Sequence, residues 1–230
     1  MATTTWADSI PELVDGDRMT AAEFERRYHA SPHIRKAELI EGVVYVASPV
    51  SDEHGQPHAG FTQWLGFYQV GTPYLFSSVE GTVRLDDANQ PQPDVHLRIA
   101  PGRGGQSTRS ADRYVVGAPE LVAEVAVSSK SLDLGARLEA YRRNHVREYL
   151  VWRVLDRAID WFVLREGRFD RLVLGEGGIY RSEVFPGLWL DPETLIRGDL
   201  AAVFQVVQRG LATPEHAAFV ERLRRAGEAR

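Results

Sequence analysis

The sequence predicts an α/β protein, with a mixed central sheet flanked by helices and a helical C-terminal extension. Three observations carry that prediction. Leu121-Val-Ala-Glu-Val-Ala-Val127 is a strand run with few polar interruptions, as expected of a central strand covered on both faces. A helix-period segment and then a second strand run follow it, the strand–helix–strand order of an α/β sheet. After Pro186-Gly187 the apolar spacing turns helical again.

The elements follow in order. Residues 1–19 read as a loose N-terminal arm with Pro11 and Gly16 as breakers. Thr20 and Glu23 have capping-box spacing, and Phe24 and Tyr28 form one apolar side, so a helix is expected over about 20–30. Strand-rich runs on both sides of Glu41-Gly42 predict a tight hairpin. Phe61, Leu65 and Tyr68, with Trp64, place a core-facing helix within 53–70. Tyr74–Leu85 and Asp94–Ile99 are strand candidates joined by a turn-rich linker, and Arg103–Tyr114 reads as a polar loop. A helix is expected from Leu132 to Asn144, with Leu134, Leu138 and Tyr141 on its apolar side. Strands at Glu148–Arg153, Ala158–Leu164 and Phe169–Leu174 come next, the last two meeting at Glu166-Gly167. Helices over about 192–208 and 214–226 close the chain.

Composition narrows the function classes. The 230 residues carry 27 basic and 32 acidic side chains, a net charge of −5, so no global basic footprint of a nucleic-acid binder exists. There is no cysteine, which excludes disulfides and thiolate metal or redox sites. No apolar run approaches the roughly 20 residues of a membrane span. The first residues have neither a basic n-region nor an apolar h-region, so no secretory signal is read and a cytoplasmic location is expected.

The chemistry concentrates in oddly placed carboxylates. Asp94 opens a strand after Pro93, Glu124 sits mid-strand where an unpartnered charge is costly, and Glu38 lies in the apolar Glu-Leu-Ile run. Two acids on neighbouring strands can share a hard cation such as magnesium through oxygen ligands; the competing reading pairs Glu124 with an arginine and makes Asp94 a turn cap. Lys130 and Arg137 follow Glu124 closely enough to lean back toward it and stabilise charge on a phosphate, or to form a solvated helix face. His54 and His58 have helical i,i+4 spacing, but Gly55 and Pro57 interrupt them and no third ligand has metal spacing, so no zinc site is expected.

The ordered set Glu38-Leu-Ile-Glu-Gly, Ser48-Pro, Glu53-His54, Pro93-Asp94-Val95, Pro119-Glu-Leu-Val-Ala-Glu124-Val125, Asp133-Leu-Gly-Ala-Arg-Leu, Tyr141 and Val146-Arg-Glu-Tyr-Leu-Val resembles the Uma-two family. These are restriction-endonuclease-like proteins of the PD-(D/E)xK superfamily, and the resemblance runs from about residue 20 to about 195. It implies a three-layer nuclease core over 20–197, leaving 198–230 as the extension. It also implies magnesium or manganese held by Asp94, Glu124 and the main-chain carbonyl of Val125, with Glu38 as an outer acidic partner and Glu41 as the weaker candidate. Alternation puts Glu38 and Glu41 on opposite faces, so only one should point inward.

The superfamily lysine two residues after the second acid is replaced here by Ala126, and the family's helix lysine by Arg137. Arginine stabilises charge but cannot act as a base, so either Arg137 contacts the phosphate without moving a proton or Lys130 substitutes for the lysine. The implied activity is metal-dependent hydrolysis of DNA phosphodiesters; the alternative is an inactive nuclease-fold module that binds nucleic acid or protein. A homodimer is expected through Val203, Phe204, Val207 and Leu211 and through Ala218, Phe219 and Leu223, unless these pack on their own domain.

Overall fold

The computed structural model describes residues 10–228. The first nine residues of the expected arm lie outside them. From there the arm is docked rather than loose. Leu13 is buried, and the segment pairs with the backbone of the first hairpin through Gly16 N to Val44 O and Val44 N to Asp17 O, both 2.8 Å.

The elements are α1 (Ala21–Ala30), β1 (Ala37–Ile40), β2 (Val43–Val46), α2 (Asp52–Gly71), β3 (Leu75–Val79), β4 (Val83–Arg84), β5 (Val95–Ile99), β6 (Thr108–Arg109), β7 (Val115–Val116) and β8 (Leu121–Ala126). They continue with α3 (Lys130–Asp133), α4 (Ala136–Arg143), β9 (Glu148–Arg153), β10 (Ala158–Arg165), β11 (Arg168–Arg171), β12 (Tyr180–Arg181), β13 (Trp189–Leu190), α5 (Pro192–Ile196), α6 (Leu200–Leu211) and α7 (Pro214–Ala226).

Six strands form the central sheet in the order β11-β10-β9-β8-β5-β3. β8 and β9 are parallel, joined over the sheet by α3 and α4, and the other neighbours are antiparallel. Period-2 alternation divides β8 between two cores. Leu121, Ala123 and Val125 face a layer built from α2, α6 and α7, while Val122 and Ala126 face Tyr141 of α4. Helices therefore cover both faces of the sheet, and the β1–β2 hairpin with α1 closes one side around Phe24, Leu39 and Val44. Glu41 and Gly42 both have positive φ, 52° and 72°, which makes their two-residue hairpin turn the primed type that matches strand twist.

Further expectations are corrected. The strand expected over 74–85 breaks after Val79, where Glu80 turns with φ 51° and donates its N–H to Pro93 O and Asp94 O. The remainder, β4, joins β7 and β6 in a small sheet, so the expected polar loop carries strand structure.

The helix expected over 132–144 begins earlier and is interrupted at Gly135 (φ −120°, ψ −107°), where a Cβ would lie 2.5 Å from Ser131 O. Only glycine fits that kink. The helix expected over 192–208 is likewise two, separated at Gly198 (φ +76°) and restarted by Asp199, whose side chain accepts from Ala202 N.

All but one of the apolar residues assigned to a dimer are spent inside the chain; the exception, Ala218, is exposed. Val203, Val207, Phe219 and Leu223 are buried in the main core, with Phe204 and Leu211 packed against it. Phe67 and Phe204 stack at 4.6 Å, and α2 and α6 lie side by side. The amphipathic face of α6 is satisfied by its own domain.

Candidate active site

Register brings the two principal acids together. β5 and β8 pair with Val95 opposite Ala123 and His96 opposite Val122, so Asp94 falls opposite Glu124 one step further along. Alternation then gives both the same face, that of α4. Asp94 and Glu124 are both almost fully buried and share a direct contact, Asp94 N donating to Glu124 Oε2 at 3.2 Å. Asp94 Oδ2 accepts from Val125 N at 2.8 Å.

Glu38 reaches the same place from β1. Its Oε1 accepts from Gln92 N and its Oε2 from Arg137 Nη2, each at 2.5 Å. Glu41 does not join it; it pairs with Arg143 at 2.5 Å outside the pocket. The kink at Gly135 starts α4 so that Arg137 projects toward the sheet, where Nη1 donates to Asp133 Oδ1 at 2.5 Å and lies 3.7 Å from Glu124 Oε2. Tyr141, one turn further on, donates its hydroxyl to Glu124 Oε1 at 2.7 Å. The acids border an open cleft of about 290 Å³ whose walls include Lys36, His54, Val125, Ser129 and Arg137.

Lys130 is not brought to the acids. It is half-exposed and its Nζ bonds Asp156 Oδ2 at 2.6 Å, because the one-turn helix α3 directs it toward the β9–β10 turn. The cation facing the carboxylates is Lys36, 3.8 Å from Asp94 Oδ1 and 3.4 Å from Glu80 Oε1. The sequence reading missed it, although its signal was present: Lys36 lies two residues before Glu38 and so shares its face. Asp133, fully buried, was missed as well.

The histidines are the other omission. His54, His58 and Asp94 bring three ligand-capable atoms within 4.8 Å of one another. The third partner comes from a different element, so sequence spacing could not reveal it.

Charge is unbalanced here. Four buried carboxylates (Glu38, Asp94, Glu124 and Asp133) face two permanent cations, Lys36 and Arg137. Burial pushes Glu124 well above the ordinary carboxylate range; Arg137 pulls against it, while Asp94, Asp133 and Glu38 add to the rise. Burial also raises Asp133. Burial works the same way on Asp94, but the His54 contact, the Val125 N–H and Lys36 outweigh it and hold that carboxyl below its usual value. For Lys36 burial lowers the pKa, yet the charges of Glu38, Asp94, Glu124 and Glu80 prevail and raise it, so the amine is a cation at neutral pH.

Helices on both faces of a mixed sheet, with paired acids opposite one another on adjacent central strands, define a restriction-endonuclease-like nuclease fold. Residues 21–193 match the model of the Uma2 family, described as "Putative restriction endonuclease", and the chain belongs to that family. Among solved structures it is similar to a "putative nuclease belonging to DUF820" from Anabaena variabilis ATCC 29413, at 11% identity and a TM-score of 0.53. That match covers 77% of this chain and 99% of the other. No curated protein matches. No helix among the described residues is long and apolar enough to cross a membrane.

Proposed function

We propose that this chain is a divalent-metal-dependent endonuclease that hydrolyses DNA phosphodiester bonds in the cytoplasm. The observation that carries the reading is the uncompensated charge: four buried acids against two fixed cations leave a deficit of the size a divalent ion fills. The donor set fits a hard ion, since Asp94, Glu124 and the Val125 carbonyl supply oxygen, the preference of magnesium and manganese. An ion held by these groups would acidify water and offset charge on the phosphoryl oxygens.

The remaining residues have distinct tasks in this reading. Arg137 is locked between Glu38 and Asp133 and holds Glu124 in position, so it orients the acids rather than moving a proton. Tyr141 fixes the Glu124 rotamer through its hydroxyl. Lys36, at the open side of the cleft, contacts the scissile phosphate and stabilises its developing charge. It takes the part that the sequence had left between Arg137 and Lys130.

Nicking of supercoiled plasmid with magnesium or manganese tests the proposal. Cleavage by the wild type that is abolished in Asp94→Asn and Glu124→Gln is the expected result. Wild-type protein that binds the ion but leaves DNA intact would favour the inactive-module alternative, for which Ala126 at the superfamily's lysine position is the supporting observation.

A further inference from the structure

We infer that Arg98, Arg109 and Arg147 form a second anion site, at the end of the sheet away from the cleft, that holds a backbone phosphate of the bound DNA. The inference rests on the reading of DNA as the substrate and names the residues that grip it outside the carboxylate cluster.

Register places the arginines. Asp94 falls opposite Glu124, and four residues later Arg98 falls opposite Glu120, one step past the Leu97–Leu121 pair. Arg98 has the parity of Asp94, so it belongs to the same face of the sheet. In the parallel register of β8 and β9, Glu120 lies beside Arg147, one step before the Leu121–Glu148 pair. Gln106 fastens the third segment to both: its N–H donates to Glu120 Oε1 at 2.8 Å, and its Oε1 accepts from Arg147 Nε at 3.0 Å. Arg109 follows in β6. One end of the β5–β8 pair is therefore acidic and the other basic, about 13 Å apart for four residues at ~3.3 Å each.

The basic end lacks counter-charge. Among the described residues none of the three arginines has an ion-pair partner, unlike their neighbours Arg84, Arg143 and Arg153. Glu120, the acid between them, is fully buried and spends its oxygens on Ile99 N and Gln106 N, each at 2.8 Å. Burial also pushes its carboxyl up, toward the neutral form. Arg98 Nε is buried with no acceptor, and Ser107 Oγ, in the segment that leads to Arg109, is buried and unpartnered too. The exposed Phe76 ring lies 5.6 Å from the Arg98 guanidinium, a contact that orients the cation without neutralising it. Burial lowers the Arg98 pKa, Glu120 raises it and Arg109 lowers it again, so the two arginines feel each other's charge. Arg109 and Arg147 are exposed and Arg98 is half-buried, which leaves the group open to a ligand.

Phosphate oxygens match guanidinium donors in charge and geometry. A DNA backbone is the source that the rest of the molecule calls for. In the cleft Arg137 is committed to Glu38 and Asp133, which leaves Lys36 to meet the substrate. A duplex carries one charge about every 3.4 Å along each strand, so ~13 Å corresponds to about four nucleotides. A chain of net charge −5 attracts that polyanion only through a local patch.

Fluorescence anisotropy of a labelled duplex with the full chain, in chelator so that no strand is cut, measures binding across a salt series. Arg98→Gln, Arg109→Gln and Arg147→Gln should each lower the slope of log K against log salt by about 0.9, and the affinity at low salt by at least ~5-fold. Arg209→Gln, an exposed charge on α6 across the sheet, should change neither. Arg98→Lys keeps the charge and should keep the wild-type slope. Unchanged slopes in the glutamine variants would overturn the site while leaving the endonuclease reading intact. A slope lost in Arg98→Lys as well would show that packing rather than charge had been removed, and would also overturn it. Calorimetry with inorganic phosphate supplies the last arm: phosphate bound by the wild type and not by Arg98→Gln, with the DNA slopes unchanged, would give the site to a free phosphate ligand instead of DNA. Wild-type protein that binds no DNA at low salt would sink both readings.

Discussion

Replacing Arg137 by alanine is the perturbation whose outcome the structure fixes most tightly. The guanidinium is buried and is shared by Glu38 and Asp133 at 2.5 Å and by Glu124 at 3.7 Å. Removing one partner of a buried ion pair costs about 3–5 kcal/mol, because the other charge is left without compensation. Here three acids lose their common partner, so the upper part of that range is expected at pH 8. Domains of this size are stable by about 5–15 kcal/mol, so the variant should fold but unfold at much lower urea.

The pH dependence has a definite sign. Arg137 favours the ionised forms of Glu124 and Asp133, so without it these two bind protons more readily in the native state, and the variant loses stability relative to wild type as pH rises and regains it as pH falls. Urea titrations followed by tryptophan fluorescence at pH 5 and pH 8 measure both effects. A loss under 1 kcal/mol, or one equal at the two pH values, would refute the account of Arg137 as the clamp of the acidic cluster. Saturating manganese should restore part of the loss, since it neutralises the same acids.

Other outcomes follow from single contacts. Lys36→Ala should lower the plasmid cleavage rate by about 10²-fold, the usual cost of one transition-state donor, while Lys130→Ala stays within about twofold; the reverse ranking would return the role to Lys130. Glu148 is buried on β9 and burial pushes its carboxyl up to about 7, despite hydrogen bonds from Ser182 Oγ, Glu183 N and Val184 N. It therefore holds its proton when folded but releases it near 4.5 when unfolded, and its contribution to stability falls as pH rises from 4.5 to 7. At 1.36 kcal/mol per pH unit that decline is about 3 kcal/mol, and Glu148→Gln should remove it from the measured stability curve. The amide of Gln69 donates to Leu75 O and accepts from Ser77 N, both at 3.2 Å, on β3, which ends the central sheet. Gln69→Ala should bare that edge beside the exposed Phe76 and Val79 and produce larger species in light scattering, whereas Val70→Ala, at a solvent-exposed neighbour, should not.

Some of this was legible in the sequence because it depends on period and register alone. Alternation along Glu38-Leu-Ile and along Leu121–Val127 was enough to put Glu38 and Glu124 on chosen faces. The hairpin at Glu41-Gly42 could be read because strand-rich runs flank a two-residue turn ending in glycine. Element type survived where the periodic run was long, as in α2, even with Pro57 inside it. Boundaries failed where one residue's conformation decided the matter. Gly135 and Gly198 each split an apparently continuous helix, and the Glu80 turn split a strand. The residues offered for a dimer interface were misplaced for a different reason. Helical spacing shows that α6 has an apolar face but carries no information on what covers it.

The cations show the same limit more sharply, and they also explain the family departure at Arg137. Sequence distance favoured Lys130, six residues after Glu124, yet a short helix directs it to Asp156, and the hairpin supplies Lys36 from 88 residues upstream. With Lys36 at the mouth of the cleft, the proposed function no longer asks the residue at 137 to meet the phosphate. What that position must do is span two acids on different elements, Glu38 on β1 and Asp133 on α3. A planar guanidinium reaches both through separate nitrogens, which a single ammonium on a flexible stem cannot hold with the same geometry. Arg137→Lys should therefore keep one of the two contacts and lose stability, without adding a base to the site. In the function proposed above, the replacement of lysine by arginine is then no loss of a catalytic group: it accompanies a division of labour in which one cation fixes the acids and another, beside the hairpin, would face the substrate.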